Sequence, residues 1–72
     1  NRSATLRTIF LDTVTKSGKL LFENQAFMAN VWFYSLTPGV RFERNFEHFL
    51  PGTHEISFTF DELPATFNFY YR

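Results

Sequence analysis

Cysteine is absent from the 72 residues, which removes disulfide cross-links and thiolate metal ligation together. A domain of this size without such staples holds itself by side-chain packing or by leaning on a neighbouring domain. Net charge is missing as well. Seven Lys and Arg balance seven Asp and Glu, and no window gathers either sign, whereas a nucleic-acid footprint calls for a basic stripe. No nucleic-acid partner is therefore expected. The longest apolar run falls far short of the ~18 residues of a spanning helix, and no charged-then-apolar leader opens the sequence, so no membrane partner is expected either. Glycine is scarce: three scattered residues build no loop that could cradle a phosphate. No Ser or Thr is set with His and Asp in a nucleophile pattern, and no cofactor is expected.

What the chain has in abundance is aromatic rings, with eleven Phe, three Tyr and one Trp. A chain this short buries only about 60% of its unfolded surface, and each large ring can bury about 150–250 Å². Rings supply the core that length does not.

Alternation then assigns strands. Ile56, Phe58 and Phe60 share a face opposite Ser57, Thr59 and Asp61, the period-2 pattern of a strand with one side buried. Pro51-Gly52 before it reads as a turn, so the region predicts a hairpin element. Thr5 to Thr15 is rich in β-branched and apolar residues and predicts a strand with Ile9 and Leu11 on one face. Lys16-Ser17-Gly18-Lys19 predicts the turn into a second strand, Lys19–Glu23, broken by Asn24-Gln25. Ala26 to Ser35 predicts a third, with Ala29, Val31 and Phe33 on one side and Met28, Asn30, Trp32 and Tyr34 on the other. Thr37-Pro38-Gly39 is a further turn, and Val40–Glu43 a short strand. Arg44–Gly52 predicts a loop whose Phe46, Phe49 and Leu50 plug an end of the fold, because three such side chains left together in water would make an apolar patch. Pro64 ends the Ile56–Phe60 strand, since it cannot donate to a ladder. A last strand sets Phe67, Phe69 and Tyr71 against Thr66, Asn68 and Tyr70. The expected fold is all-β, a small antiparallel sandwich of about six to seven strands forming one domain over residues 1–72. The chain opens on Asn1, not Met, as expected of a piece of a larger polypeptide or of a mature chain.

Three segments read together carry a resemblance: Ala26-Phe27-Met28-Ala29-Asn30-Val31-Trp32-Phe33-Tyr34-Ser35, then Pro38-Gly39-Val40-Arg41-Phe42, then Asn45-Phe46 through Leu50-Pro51-Gly52. The region from Leu20 to Phe60 resembles the immunoglobulin-like domain at the C-terminus of β-mannosidases and related family 2 glycoside hydrolases. In that family a strand leads to a loop of the form F-S-D-N-[YF]-F-D-L-L-P-G. Phe42, Asn45, Phe46, Leu50, Pro51 and Gly52 keep the pattern, while Glu43, Arg44, Glu47, His48 and Phe49 depart from it. The resemblance implies an immunoglobulin-like accessory domain that packs on other domains of the same polypeptide, including a catalytic barrel. It also implies that Val31 and Phe33 face inward, leaving Trp32 and Tyr34 to an edge, another domain or a ligand.

The candidate chemistry is sparse. Glycoside hydrolysis needs two carboxylates across the scissile bond, and Asp12, Glu23, Glu43, Glu47, Glu55, Asp61 and Glu62 fall in no acid/nucleophile motif; no catalytic residue is assigned. In the resembled family those carboxylates belong to the barrel. His48 and His54 flank Pro51-Gly52 with Glu47 and Glu55 beside them, but this spacing guarantees no convergent ligand geometry, and surface histidines are the default. No metal site is assigned. Asn1-Arg2-Ser3 fits the N-glycosylation pattern, a motif short enough to recur by chance. The candidate contact residues are Trp32, Tyr34, Tyr70 and Tyr71, which join an apolar ring to a polar tip. The plainer reading makes them core or edge-packing residues. As contacts, they are expected to meet a neighbouring domain ahead of carbohydrate, and a free-standing adhesion or interaction domain is a further alternative.

Overall fold

Alternating side chains set seven strands in the computed structural model, which describes residues 4–72; the Asn1-Arg2-Ser3 motif lies outside them. The strands are β1 (Ala4–Asp12), β2 (Ser17–Asn24), β3 (Ala29–Tyr34), β4 (Arg41–Phe42), β5 (Phe46–Phe49), β6 (Gly52–Thr59) and β7 (Asn68–Tyr71). They form two antiparallel sheets, ordered β1-β2-β6-β4 and β5-β3-β7. β1 and β2 make a hairpin, and every later connection passes from one sheet to the other. The chain therefore stitches its two layers together as it runs.

The inner faces follow the alternation. Leu20 and Phe22 of β2 and Ile56 and Phe58 of β6 meet Ala29, Val31 and Phe33 of β3 and Phe49 of β5, all buried, with Phe60 closing the set. Phe22 is the hub, its ring centroid 5.3 Å from Phe33, 5.2 Å from Phe49 and 5.4 Å from Phe69. Such edge-on and tilted contacts are worth about 0.5–1.5 kcal/mol each beyond the area they bury. One polar side chain enters this core. Asn24, 2% exposed, ends β2 and uses its whole hydrogen-bonding capacity: Nδ2 donates to the carbonyls of Phe49 (2.9 Å) and Leu50 (3.2 Å), and Oδ1 accepts from the Ala26 amide (3.1 Å) and the Tyr71 hydroxyl (2.7 Å). A buried amide so satisfied fixes β2, β5 and β7 relative to one another instead of costing stability.

Four expectations are corrected. The first turn lies at Thr13–Lys16, three residues before the predicted Lys16–Lys19, and Gly18 sits inside β2. Asp12 Oδ1 accepts from the amides of Val14 (2.9 Å) and Thr15 (3.2 Å), closing the turn, and Lys16 takes the left-handed backbone with φ 56°. Gly18 is there for close approach, since a Cβ would stand 2.5 Å from the Phe10 carbonyl oxygen and 2.6 Å from the Phe58 ring. Second, the register of β1 on β2 slips between Thr8 and Phe10. Ile9 is the extra residue of a bulge, so it and Leu11 form no buried face and both are exposed. Third, the expected Arg44–Gly52 loop contains β5, which pairs with β3 from Ala29↔Phe49 to Trp32↔Phe46. Phe49 enters the core while Phe46 and Leu50 stay exposed, so they do not plug an end together. Fourth, β5 and β6 belong to different sheets; the Leu50-Pro51 link is a crossing between layers, not a hairpin turn.

Candidate functional site

The outward side of the β5-β3-β7 sheet is where alternation puts the residues that do not enter the core. A surface strand ordinarily shows polar side chains there; this sheet shows rings. Registration of β5 on β3 and of β3 on β7 sets Phe46, Trp32 and Tyr70 in one row across three strands, at 55%, 51% and 65% exposure. Two strand spacings make the row about 10 Å long. Trp32 and Phe46 meet with centroids 5.7 Å apart and planes at 62°, the two sides of a corner. Tyr34, one alternation further along β3, stacks on Tyr70 at 5.1 Å and 23°.

A polar row runs beside the aromatic one. His48 pairs with Asn30 across β5 and β3, and the Asn30 and Arg72 backbones exchange two hydrogen bonds of 2.9 Å. Between the rows lies a shallow groove of about 450 Å³ lined by Asn30, Trp32, Phe46, Tyr70, Tyr71 and Arg72. The Asn30 Oδ1 atom is buried and has no hydrogen-bond partner among the described residues.

Of the four aromatic candidates, Trp32, Tyr34 and Tyr70 are thus gathered on one face. Tyr71 is not: its ring packs beside Phe22 and Phe69 in the core, with its hydroxyl on Asn24. The alternation that opposes Tyr70 to Tyr71 carries this separation already. Phe46 belongs to the face and was missed, because Phe46 and Phe49 three apart do not read as period two until β5 is seen to bring only Phe49 inward.

The remaining candidates scatter. His48 lies on the aromatic face, while His54 is half-buried with its ring edge against Phe49 at 4.9 Å and Nε2 at 2.8 Å from the Leu50 carbonyl. Glu47 pairs with Arg44 and Glu55 with Lys19, so the four groups do not converge, and no cluster of three or more His, Cys, Asp or Glu occurs among the described residues. Glu23 is engaged by Arg7 and Thr5, Asp61 by Arg41 at 3.0 Å, and Asp12 by its own turn. The Arg41 hydrogen bond and charge hold the Asp61 carboxyl below its ordinary value, as the Thr15 and Val14 amides do for Asp12.

Comparison with known proteins finds no matching family model, no matching curated protein and no matching solved structure.

A second apolar surface lies at one end of the sandwich. Asn24 ties the β2–β3 loop to the end of β5 through Ala26, Phe49 and Leu50. Phe27, 94% exposed, and Met28 on one loop and Leu50 on the other stand in water at that end.

Proposed function

We propose that the chain is a non-catalytic accessory module, an immunoglobulin-like sandwich resembling the C-terminal domain of β-mannosidase-type family 2 glycoside hydrolases, that packs against other domains of its own polypeptide. The observation that carries the reading is the apolar end formed by Phe27, Met28 and Leu50. An independent monomer keeps large side chains from gathering in water, and contiguous exposed patches mark contact surfaces. A neighbouring domain seated on that end would cover all three. Strand order supports the fold assignment: β1-β2-β6-β4 follows the A-B-E-D sheet of immunoglobulin domains, and the β3-β7 pair follows their C-F neighbours, with β5 added beside β3. Glu23, Glu47, Glu55 and Asp61 each sit in a separate ion pair, which supports a module that leaves hydrolysis to a barrel elsewhere.

The reading is tested by the open reading frame that encodes these residues and by assay of the pure chain. A (β/α)8 barrel carrying two catalytic carboxylates in the same frame is expected, as is no hydrolysis of an aryl β-mannoside by the 72-residue chain. Turnover by the pure chain, or a frame without a barrel, overturns it.

A further inference from the structure

We infer that the open side of the sandwich between β7 and β1 is a slot for one more strand, filled by an extended segment of the same polypeptide that pairs with β7 and covers the inner face of β1. Only the source of that strand depends on the accessory-module reading. One sheet has four strands and the other three, and β1 and β7 are edge strands that meet on one side. Ala4, Leu6, Thr8 and Leu11 of β1 pair with Asn24, Phe22, Leu20 and Gly18 of β2, so they share the inward face. Leu20 and Phe22 are wholly buried, whereas Leu6 is partly buried, Thr8 is exposed and Leu11 is 40% exposed. Phe69 and Tyr71 of the facing sheet are also only partly buried. The second layer stops one strand short of the first. The opposite side is closed by Arg44, which donates to the Glu55 carbonyl at 2.9 Å and lies 5.0 Å over the Phe49 ring.

The backbone of β7 selects the occupant. Asn30 and Arg72 exchange two hydrogen bonds, and in an antiparallel ladder such pairs recur at every second residue. Tyr70 and Asn68 therefore turn their amides and carbonyls to Trp32 and Tyr34 of β3. Phe69 and Tyr71 turn theirs outward, where no strand pairs with them among the described residues. Donors and acceptors at strand spacing match another extended backbone. The other three edges are blunted, β1 by its bulge at Ile9, β4 by its length of two residues and β5 by the Arg44–Glu47 ion pair beside it. β7 has no charge, proline or bulge between Asn68 and Tyr71. Its two outward residues offer four groups, too few to hold a free peptide against the freedom it would lose. A tether raises the local concentration of a strand to about the millimolar range, so the strand belongs to the same polypeptide. Its side chains alternate, apolar over Leu6, Leu11, Phe69 and Tyr71 and polar on the other face.

The test fuses a probe strand, Thr-Val-Thr-Val-Thr-Val-Thr, after Arg72 through a flexible Gly/Ser linker and follows amide hydrogen exchange by NMR. In the 72-residue chain the Phe69 and Tyr71 amides are expected to exchange faster than those of Tyr70 and Arg72. The fusion is expected to slow them about ten-fold or more, as a tethered strand that stays paired most of the time would. A probe with a pair of adjacent central residues replaced by Pro, one of which must fall on the ladder side, is expected to give no protection. The unmodified probe added as a free peptide at micromolar concentration is expected to give none either. Leu11→Ser, at a side chain already 40% exposed, is expected to leave the unfused chain as stable as before and to weaken protection in the fusion about ten-fold, the loss of one large side chain's burial. Phe69 and Tyr71 exchanging as fast in the fusion as without it, equal protection by the proline probe, protection unaltered by Leu11→Ser, or a loss of stability in the unfused Leu11→Ser chain overturns the slot. Protection by the free peptide at micromolar concentration overturns the assignment to the same polypeptide. Each of these outcomes leaves the packing of the apolar end standing, because that rests on Phe27, Met28 and Leu50.

Discussion

The Tyr71 hydroxyl donates to Asn24 Oδ1 at 2.7 Å, joining the last strand of one sheet to the second strand of the other through a side chain 2% exposed. Removing Asn24 takes this acceptor from the Tyr71 hydroxyl, while removing the hydroxyl leaves Asn24 Oδ1 with the Ala26 amide alone. Asn24→Ala takes away four hydrogen bonds at once and leaves the Tyr71 hydroxyl without this partner. At about 0.5–1.5 kcal/mol net per hydrogen bond, the loss is about 2–6 kcal/mol, a large share of the about 5–15 kcal/mol that holds an average domain. Tyr71→Phe keeps the ring contacts and costs about 1–2 kcal/mol. Urea unfolding followed by near-UV circular dichroism measures both, and an Asn24→Ala variant as stable as the parent would show that the clasp carries no energy.

Gly18 gives a second prediction. Its missing side chain is what lets the Phe10 carbonyl oxygen and the Phe58 ring approach, so Gly18→Ala forces one or both aside. Overpacking of this kind costs about 1–3 kcal/mol. Lys16→Asn has the opposite sign, because Asn tolerates the left-handed backbone at φ 56° better than Lys does; a gain of up to about 1 kcal/mol is expected. The two melting temperatures should move in opposite directions.

Gly18 also shows where sequence reading succeeds and where it stops. β6 and the inner face of β3 were legible because Ile56, Phe58 and Phe60, and Ala29, Val31 and Phe33, alternate without interruption, and burial on one side enforces that period. A glycine beside Ser and Lys looks like a turn, yet here the turn is closed by Asp12, and the glycine answers to Phe58 on a strand forty residues away. Its cause is tertiary, so no local pattern announces it. The Ile9 bulge is hidden for the same reason. At the candidate site, Trp32, Tyr34 and Tyr70 were legible as amphipathic rings, but that Phe46 joins them depends on the β5–β3 register, which two-residue periodicity over four residues is too short to fix.

Asp12 and Asp61 predict the acid side of the stability profile. Hydrogen bonds from the Thr15 and Val14 amides lower the first, and the Arg41 hydrogen bond and charge lower the second, from an ordinary value of 3.8. For a carboxyl held lower in the folded than in the unfolded state, the stabilisation is fully present above the unfolded value and is lost as pH falls through the folded one. Stability should therefore be level above about pH 5 and decline below 3.8. Both groups are exposed, so solvent screens the effect and the decline is shallow. Asp61→Asn should flatten part of it, and added salt should flatten the Arg41–Asp61 part more than the Asp12 part, which rests on backbone hydrogen bonds. Urea midpoints on either side of pH 3.8, at low and high salt, separate the two.

The apolar end makes the last prediction, and it distinguishes a surface used for packing from one that is merely greasy. Phe27 and Leu50 touch water in the 72-residue chain, so Phe27→Ser with Leu50→Ser should leave its unfolding free energy within about 0.5 kcal/mol, as surface changes do, while reducing ANS fluorescence and self-association. In a polypeptide that carries the proposed neighbouring domain, the same pair should behave differently. There the two side chains would be covered, and exposing a serine-lined face to a hydrophobic partner costs about 1.5–3 kcal/mol per large side chain no longer buried. The module should then separate from its neighbour, seen as a distinct low-temperature transition in calorimetry and as faster cleavage between the domains by a protease. If the double variant melts as one unit with the rest of the polypeptide, the end formed by Phe27 and Leu50 is not where this module packs.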